Sequence, residues 1–191
     1  MPPKFKFTRE EMIQAGLELT REQGFSAVTA RALGARLGCS VKPIFTLFQN
    51  MEQVQQEILS AAHRQYLAYL EHAIEQSEYP PYKASGMAYI HFAQDERELF
   101  KLLFMRDRSQ EKPQQSPEET QRISELVQAA TGLDQESAYL FHLETWIYVH
   151  GVASMLATSY LDWDEQFISQ SLTDIYQGLR FRFCGKGETK K

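Results

Sequence analysis

Five histidines, two cysteines and twenty-five acidic residues are the raw material here for acid–base, nucleophilic or metal chemistry. Their spacing does not assemble it. His142 and Glu144 stand two apart, which on a helix sends them to different sides. His142 and His150 share one apolar segment but sit two turns apart, and Cys39 and Cys184 lack metal-ligand spacing. The sequence contains no G-x-S-x-G, H-E-x-x-H or C-x-x-C, and no phosphate-cradling glycine loop. No enzyme activity, metal or cofactor is expected. Trp146 and His150 are better placed. One helical turn apart, they would set an aromatic face beside a ring nitrogen, a pairing suited to a small, largely apolar guest. A hydrogen-bonded core histidine would give the same pattern.

The elements that must position these groups are helices. Strand signals are almost absent, and apolar residues recur at helical spacing nearly throughout. Thr8 followed by Glu11 forms a capping-box pattern, so a first helix is expected from there to Gly24, with Gly24 as a left-handed cap. Thr29 is expected to cap a second helix, ended by Gly38. Ser40 is expected to cap a third, reaching about Phe48 and placing Pro43 at its third position. Asn50 is expected to cap a long fourth helix, stopped before Pro80 and Pro81. Five more helical segments follow, interrupted by the polar loop RDRSQEKPQQSP. The expected fold is all-α, with about nine helices.

A chain of 191 residues with 43% hydrophobic content can bury a substantial core. Two distant cysteines argue against a disulfide framework, and no apolar run reaches the roughly 18 residues a membrane span needs. The N-terminus lacks the apolar run of a signal peptide. A cytoplasmic location is the expectation. The net charge of -5 speaks against a nucleic-acid partner, but its distribution does not. Residues 1–50 carry seven Lys/Arg and four Glu, a net of +3, on a remainder of -8. Any contact with a polyanion is thus confined to the first region.

Three short helices followed by a long one outline a helix-turn-helix domain. The second and third are joined only by Gly38, Cys39 and Ser40. Leu33, Leu37, Ile44 and Phe48 can pack the pair against Leu17. The stretch GFSAVTARALGARLGCSVKPIFTLFQNMEQV, residues 24–54, resembles the DNA-binding region of the TetR family of transcriptional regulators. Gly24, Phe25, Thr29, Gly38, Ser40, Phe45, Phe48 and Glu52 fall in register without a gap. WIYVHG, residues 146–151, resembles a Trp-x-x-x-His-Gly element of one class of C-terminal domain in that family. Departures stand at Pro43, Phe45 and Met51. There the family often has Thr, Tyr and Lys, which can donate to phosphate; Pro, Phe and Met cannot.

The resemblance implies a helix-turn-helix DNA-binding domain over 1–50 and a helical ligand-binding and dimerisation domain over 51–191. Lys42 and Thr46 are the candidates for base-edge contact, with Gln49 as an outlying one. Pro43 and Phe45 are counted with them as DNA-binding candidates. Thr29, Arg31, Ser40 and Asn50 are candidates for phosphate, although capping alone would account for Thr29, Ser40 and Asn50. Lys4, Lys6 and Arg9 could form an N-terminal arm, and Arg36 is read as a surface cation. The ligand-binding candidates are Tyr66, Tyr89, Phe92, Phe104, Trp146 and His150. For a homodimer interface they are Gly151, Ser154, Thr158, Leu172, Ile175 and Leu179. The implied function is a repressor that releases a near-palindromic double-stranded DNA operator when an apolar or aromatic-compatible small molecule binds. A protein-binding regulator of the same fold, with weak or lost operator binding, is the alternative.

Overall fold

Helix-forming periodicity runs the length of the chain, and the computed structural model, which describes residues 7–109 and 117–185, follows it. The described residues form nine α-helices and no strand. They are α1 (Arg9–Gln23), α2 (Ala30–Arg36), α3 (Lys42–Leu47), α4 (Met51–Glu75), α5 (Pro81–Asp95), α6 (Arg97–Phe104), α7 (Pro117–Thr131), α8 (Gln135–Ala157) and α9 (Glu165–Cys184). A single 3-10 turn, Phe25–Ala27, precedes α2. Part of the loop expected after α6 lies outside the described residues, as do Lys4 and Lys6.

Local chemistry starts these helices. The Thr8 hydroxyl accepts from Glu11 N–H at 3.1 Å, and the Glu11 carboxylate accepts from Thr8 N–H at 2.7 Å, completing the capping box on α1. Thr29 Oγ1 accepts from Ala32 N–H at 3.2 Å at the head of α2, and Asn50 Oδ1 accepts from Gln53 N–H at 2.8 Å at the head of α4. Asp134 and Asp164 do the same for α8 and α9. Gly24 closes α1 with φ +79° but ψ 160°, so the chain leaves in an extended direction rather than the left-handed helical one expected. The cap on α3 also differs from expectation. Val41, not Ser40, holds the cap position, in helical conformation and with no side-chain cap. Ile44 N–H donates to Val41 C=O at 3.2 Å, so the first turn begins one residue later. Pro43 is then the second helical residue, where its missing N–H has no intrahelical partner to lose.

Two compact units divide the helices. The first comprises α1 to α3, α4 as far as Ala68, and Asp95–Arg106, which includes α6. Met12, Leu17, Leu33, Ile44, Phe48, Val54, Ile58, Leu99 and Phe100 form its buried interior. α1 and α4 approach closely: a Cβ on Gly16 would lie 2.3 Å from Ile58 Cδ1. The turn between α2 and α3 is equally tight, since a Cβ on Gly34 would lie 2.9 Å from the Cys39 carbonyl oxygen. Ion pairs fasten the surface of this unit. Arg21 bonds Glu96 through both Nε and Nη2, at 2.7 and 2.9 Å, and reaches Gln65 at 2.8 Å. Arg36 bridges α2 to Glu18 and Glu22 of α1 at 2.7–3.0 Å.

The second unit comprises Tyr69–Gln94 and the chain from Asp107 onward, and so holds the end of α4, most of α5, and α7 to α9. Tyr82, Val127, Ala138 and Phe141 make one buried cluster, with Tyr176, Leu179 and Phe183 packed against it. Gly86 lets α8 and α9 close on α5, since a Cβ there would meet Leu172 Cδ2 at 3.2 Å and Val149 Cγ2 at 3.6 Å. Lys83 ties α5 to α9 by donating to Ser169 and Thr173 at 2.8 and 2.9 Å, with its ammonium 4.4 Å from the centre of the Tyr79 ring.

Candidate functional site

α3 divides its residues sharply between two faces. Ile44 is wholly buried and Phe48, just past its end, is 2% exposed. Each such side chain contributes about 1.5–3 kcal/mol of burial free energy. Lys42, Phe45, Thr46, Gln49 and Asn50 are exposed, as are Ser40 and Val41, and Pro43 is half-buried. The outer face therefore carries the residues singled out for base contact. Thr46 Oγ1 donates to the Lys42 carbonyl at 3.0 Å, which spends its proton and leaves the oxygen as an acceptor. The caps made by Thr29 and Asn50 use acceptor oxygens, so the Thr29 hydroxyl proton and the Asn50 amide N–H₂ stay available as donors.

Charge within the stretch that carries α2 and α3 has one sign. From residue 23 to residue 51 there is no Asp or Glu, only Arg31, Arg36 and Lys42. Arg36 is spoken for by Glu18 and Glu22, and its guanidinium draws the Glu22 carboxyl below the usual range. Arg31 and Lys42 are exposed. Arg9 does not behave as an arm. Its guanidinium pairs with Glu57 of α4, with Nε 2.8 Å from Oε2 and Nη2 against Oε1, and its Nη1 donates to the Leu47 carbonyl at 3.2 Å. That inward pairing spans 48 residues, so no local pattern announces it.

The six aromatic candidates fall into two sets. Tyr66 and Phe104 belong to the first unit and meet edge to face, with centroids 5.1 Å apart. Tyr89, Phe92, Trp146 and His150 belong to the second. There Tyr89 Oη lies 2.9 Å from His150 Nδ1, and Ser154 Oγ lies 3.4 Å from its Nε2. The Trp146 ring stacks on His150 at 5.0 Å, with planes only 15° apart. Burial lowers the His150 pKa, so the ring is neutral at pH 7. Phe92 is buried, edge to face with Tyr69. Trp146 is exposed.

Sequence reasoning missed a second polar pair in this unit. Tyr82 Oη lies 3.3 Å from His142 Nδ1, although the two are 60 residues apart. Burial raises the Tyr82 pKa to about 12 and lowers that of His142 to about 4. Glu144 takes no part and pairs instead with Arg182 at 2.6–2.7 Å. Among the described residues, no three His, Cys, Asp or Glu side chains cluster as a metal would require. No helix among them is long and apolar enough to cross a membrane.

The candidate interface residues line α8 and α9. Gly151 faces open space, Thr158 is exposed, and Ser154, Ile175 and Leu179 are half-buried, whereas Leu172 packs inside the unit against Gly86. The same two helices expose large apolar side chains that sequence patterning did not single out, chiefly Ile147 at 60% and Phe181 at 81%, with Leu140, Met155 and Phe167.

Two family models match the chain. The one for bacterial regulatory proteins of the tetR family matches residues 12–58, and the one for the tetracyclin repressor-like C-terminal domain matches residues 82–176. The chain belongs to the TetR family. It is a transcriptional regulator with a helix-turn-helix DNA-binding domain and a C-terminal domain of the ligand-binding kind. Direct comparison with curated proteins finds no match. Solved structures share the fold at low identity. A protein of unknown function from Rhodococcus sp. RHA1 has 19% identity and a TM-score of 0.70, over 94% of this chain and 97% of that one. A TetR family member from Streptomyces coelicolor A3 has 16% identity and a TM-score of 0.60, over 87% and 96%. The multidrug binding protein EbrR, solved with imidazole, has 15% identity and a TM-score of 0.58, over 91% and 95%.

Proposed function

We propose that the chain is a ligand-responsive repressor that binds a near-palindromic operator as a homodimer and releases it when a small apolar or aromatic molecule occupies the C-terminal domain. One observation carries the DNA half of this reading. The exposed face of α3, with Lys42 and Thr46 at its centre, sits in a 29-residue stretch without a carboxylate. Base edges would be met by Lys42, Thr46 and Gln49, and phosphates by Thr29, Arg31, Ser40 and Asn50. The reading domain spans 1–50 and the effector and dimerisation domain 51–191.

The aromatic set around His150 supports the effector half. Tyr89, Ser154 and a neutral His150 satisfy one another's polar atoms, which leaves the exposed Trp146 ring to meet an uncharged, aromatic-compatible guest. The apolar side chains exposed on α8 and α9 support dimerisation. Two-fold symmetry would then hold two copies of α3 about one DNA turn, roughly 34–36 Å, apart. The effector acts only by its differential affinity for the DNA-bound and released arrangements.

Fluorescence anisotropy against the DNA upstream of the chain's own coding region tests the reading. Sequence-specific binding at low salt is expected, with a salt dependence shallower than six to ten phosphate contacts would give. Absence of specific binding would reject the repressor and favour the protein-binding alternative. An effector that bound tightly without changing operator affinity would reject the coupling.

A further inference from the structure

Beside the row formed by Lys42 and Thr46, the outer face of α3 shows a second row that is apolar. Val41 and Phe45 lie four residues apart, are 42% and 47% exposed, and are continuous in helical backbone conformation. The core side of the same segment is already filled by Ile44 and Phe48, so neither exposed side chain is needed there. Arg31 and Lys42 are exposed in the same stretch, and no carboxylate interrupts it. That charge favours a polyanion as the occupant. A benzyl ring can neither donate a hydrogen bond to phosphate nor pair with a polar base edge. In the major groove each base edge presents donors and acceptors, and thymine alone adds an apolar group, its 5-methyl.

We infer that Phe45, flanked by Val41, is a specificity-determining residue that reads thymine through its 5-methyl group. This rests on the DNA-binding reading proposed above and adds which base the apolar row selects. Lys42 and Thr46, on the adjoining row, address polar edges of neighbouring bases. The selected operator half-site therefore contains a thymine whose recognition depends on a methyl and not on a hydrogen bond.

The full-length chain is used to select binding sites from random double-stranded DNA, and each thymine of the selected site is then replaced by deoxyuridine. The replacement removes only the methyl. At one thymine per half-site the wild-type protein should lose about fourfold in affinity, the effect of one buried methyl-sized group. Phe45→Ala should bind the thymine operator more weakly and show a thymine-to-uracil ratio near one at that position. Val41→Ala, a milder truncation, should reduce the ratio without abolishing it. If every uracil replacement leaves wild-type affinity unchanged, or if Phe45→Ala keeps the wild-type ratio, the inference is overturned while the DNA-binding reading stands. If no sequence is selected at all, both fall. Should Phe45→Ala fail to fold, the wild-type uracil scan decides alone.

Discussion

Arg9 at the start of α1 and Glu57 within α4 form a two-pronged ion pair that closes over the end of α3. Nε of Arg9 lies 2.8 Å from Glu57 Oε2, and Nη2 reaches Oε1. Its third nitrogen holds the Leu47 carbonyl, and its guanidinium carbon sits 4.5 Å from the centre of the Phe48 ring. One side chain therefore joins three helices and satisfies a carbonyl at the end of α3. Arg9→Ala should lower the melting temperature and weaken operator binding, yet leave the order of preferred bases unchanged. Arg9→Lys should rescue little, because an ammonium cannot form the paired contact. Melting curves and a base-preference profile on the same variants check both halves. A change in which bases are preferred would mean that Arg9 itself touches DNA.

Gly34 allows the turn between α2 and α3 to close on the Cys39 carbonyl. Alanine there would place a methyl 2.9 Å from a backbone oxygen that no rotamer change can move. Gly34→Ala should cost about 1–3 kcal/mol, the range for overpacking a close contact. Urea unfolding measures it. A cost below roughly 0.5 kcal/mol would show that the turn relaxes freely.

His142 makes stability depend on pH. Burial holds its folded pKa at about 4, against an ordinary imidazole value of 6.5. The unfolded chain therefore binds a proton that the folded chain refuses between these values. Stability from this group is complete above about pH 6.5 and is lost as pH falls to about 4, by at most about 3 kcal/mol. His142→Gln removes the titration while keeping a polar partner for Tyr82. As pH is lowered from about 7 to 4, urea midpoints should fall more steeply for the wild type than for this variant. Parallel curves would show that His142 does not carry the effect.

Lys42→Ala separates two modes of DNA contact. If Lys42 addresses a base, affinity should drop about tenfold or more and preference should relax at one position. If it only addresses phosphate, binding should weaken evenly across sequences and the salt slope should fall by about 1. Unchanged affinity would mean that the reading face of α3 is not the one carrying Lys42.

The helices were legible because their signals are local. Thr8 with Glu11, Thr29 and Asn50 each lie three residues from the amide or partner they cap. Ile44 and Phe48 announced their burial by helical spacing alone. The ion pairs were not legible, since Arg9 to Glu57 spans 48 residues, Arg21 to Glu96 spans 75, and Arg182 to Glu144 spans 38. Nothing in a single chain marks which arginine will pair with which distant carboxylate. Ser40 failed as a cap for a different reason. A serine before a proline-containing helix is a fair signal, but Val41 already adopts helical geometry and begins the turn in its place. Of the candidate site, the α3 face and the pairing of Trp146 with His150 could be read from spacing. The tyrosine partners of His142 and His150 sit about sixty residues away and could not.

On the proposed reading, the two faces of α3 keep folding and recognition on separate side chains. Ile44 and Phe48 hold the helix in place from its buried side, and Lys42, Phe45 and Thr46 are exposed on the other. If those three residues read DNA as proposed, drift at the outer positions would change what the protein reads while the buried pair still holds the helix. A lineage could retarget this regulator one exposed residue at a time, and a designer could randomise the same three codons and expect most of the library to remain folded.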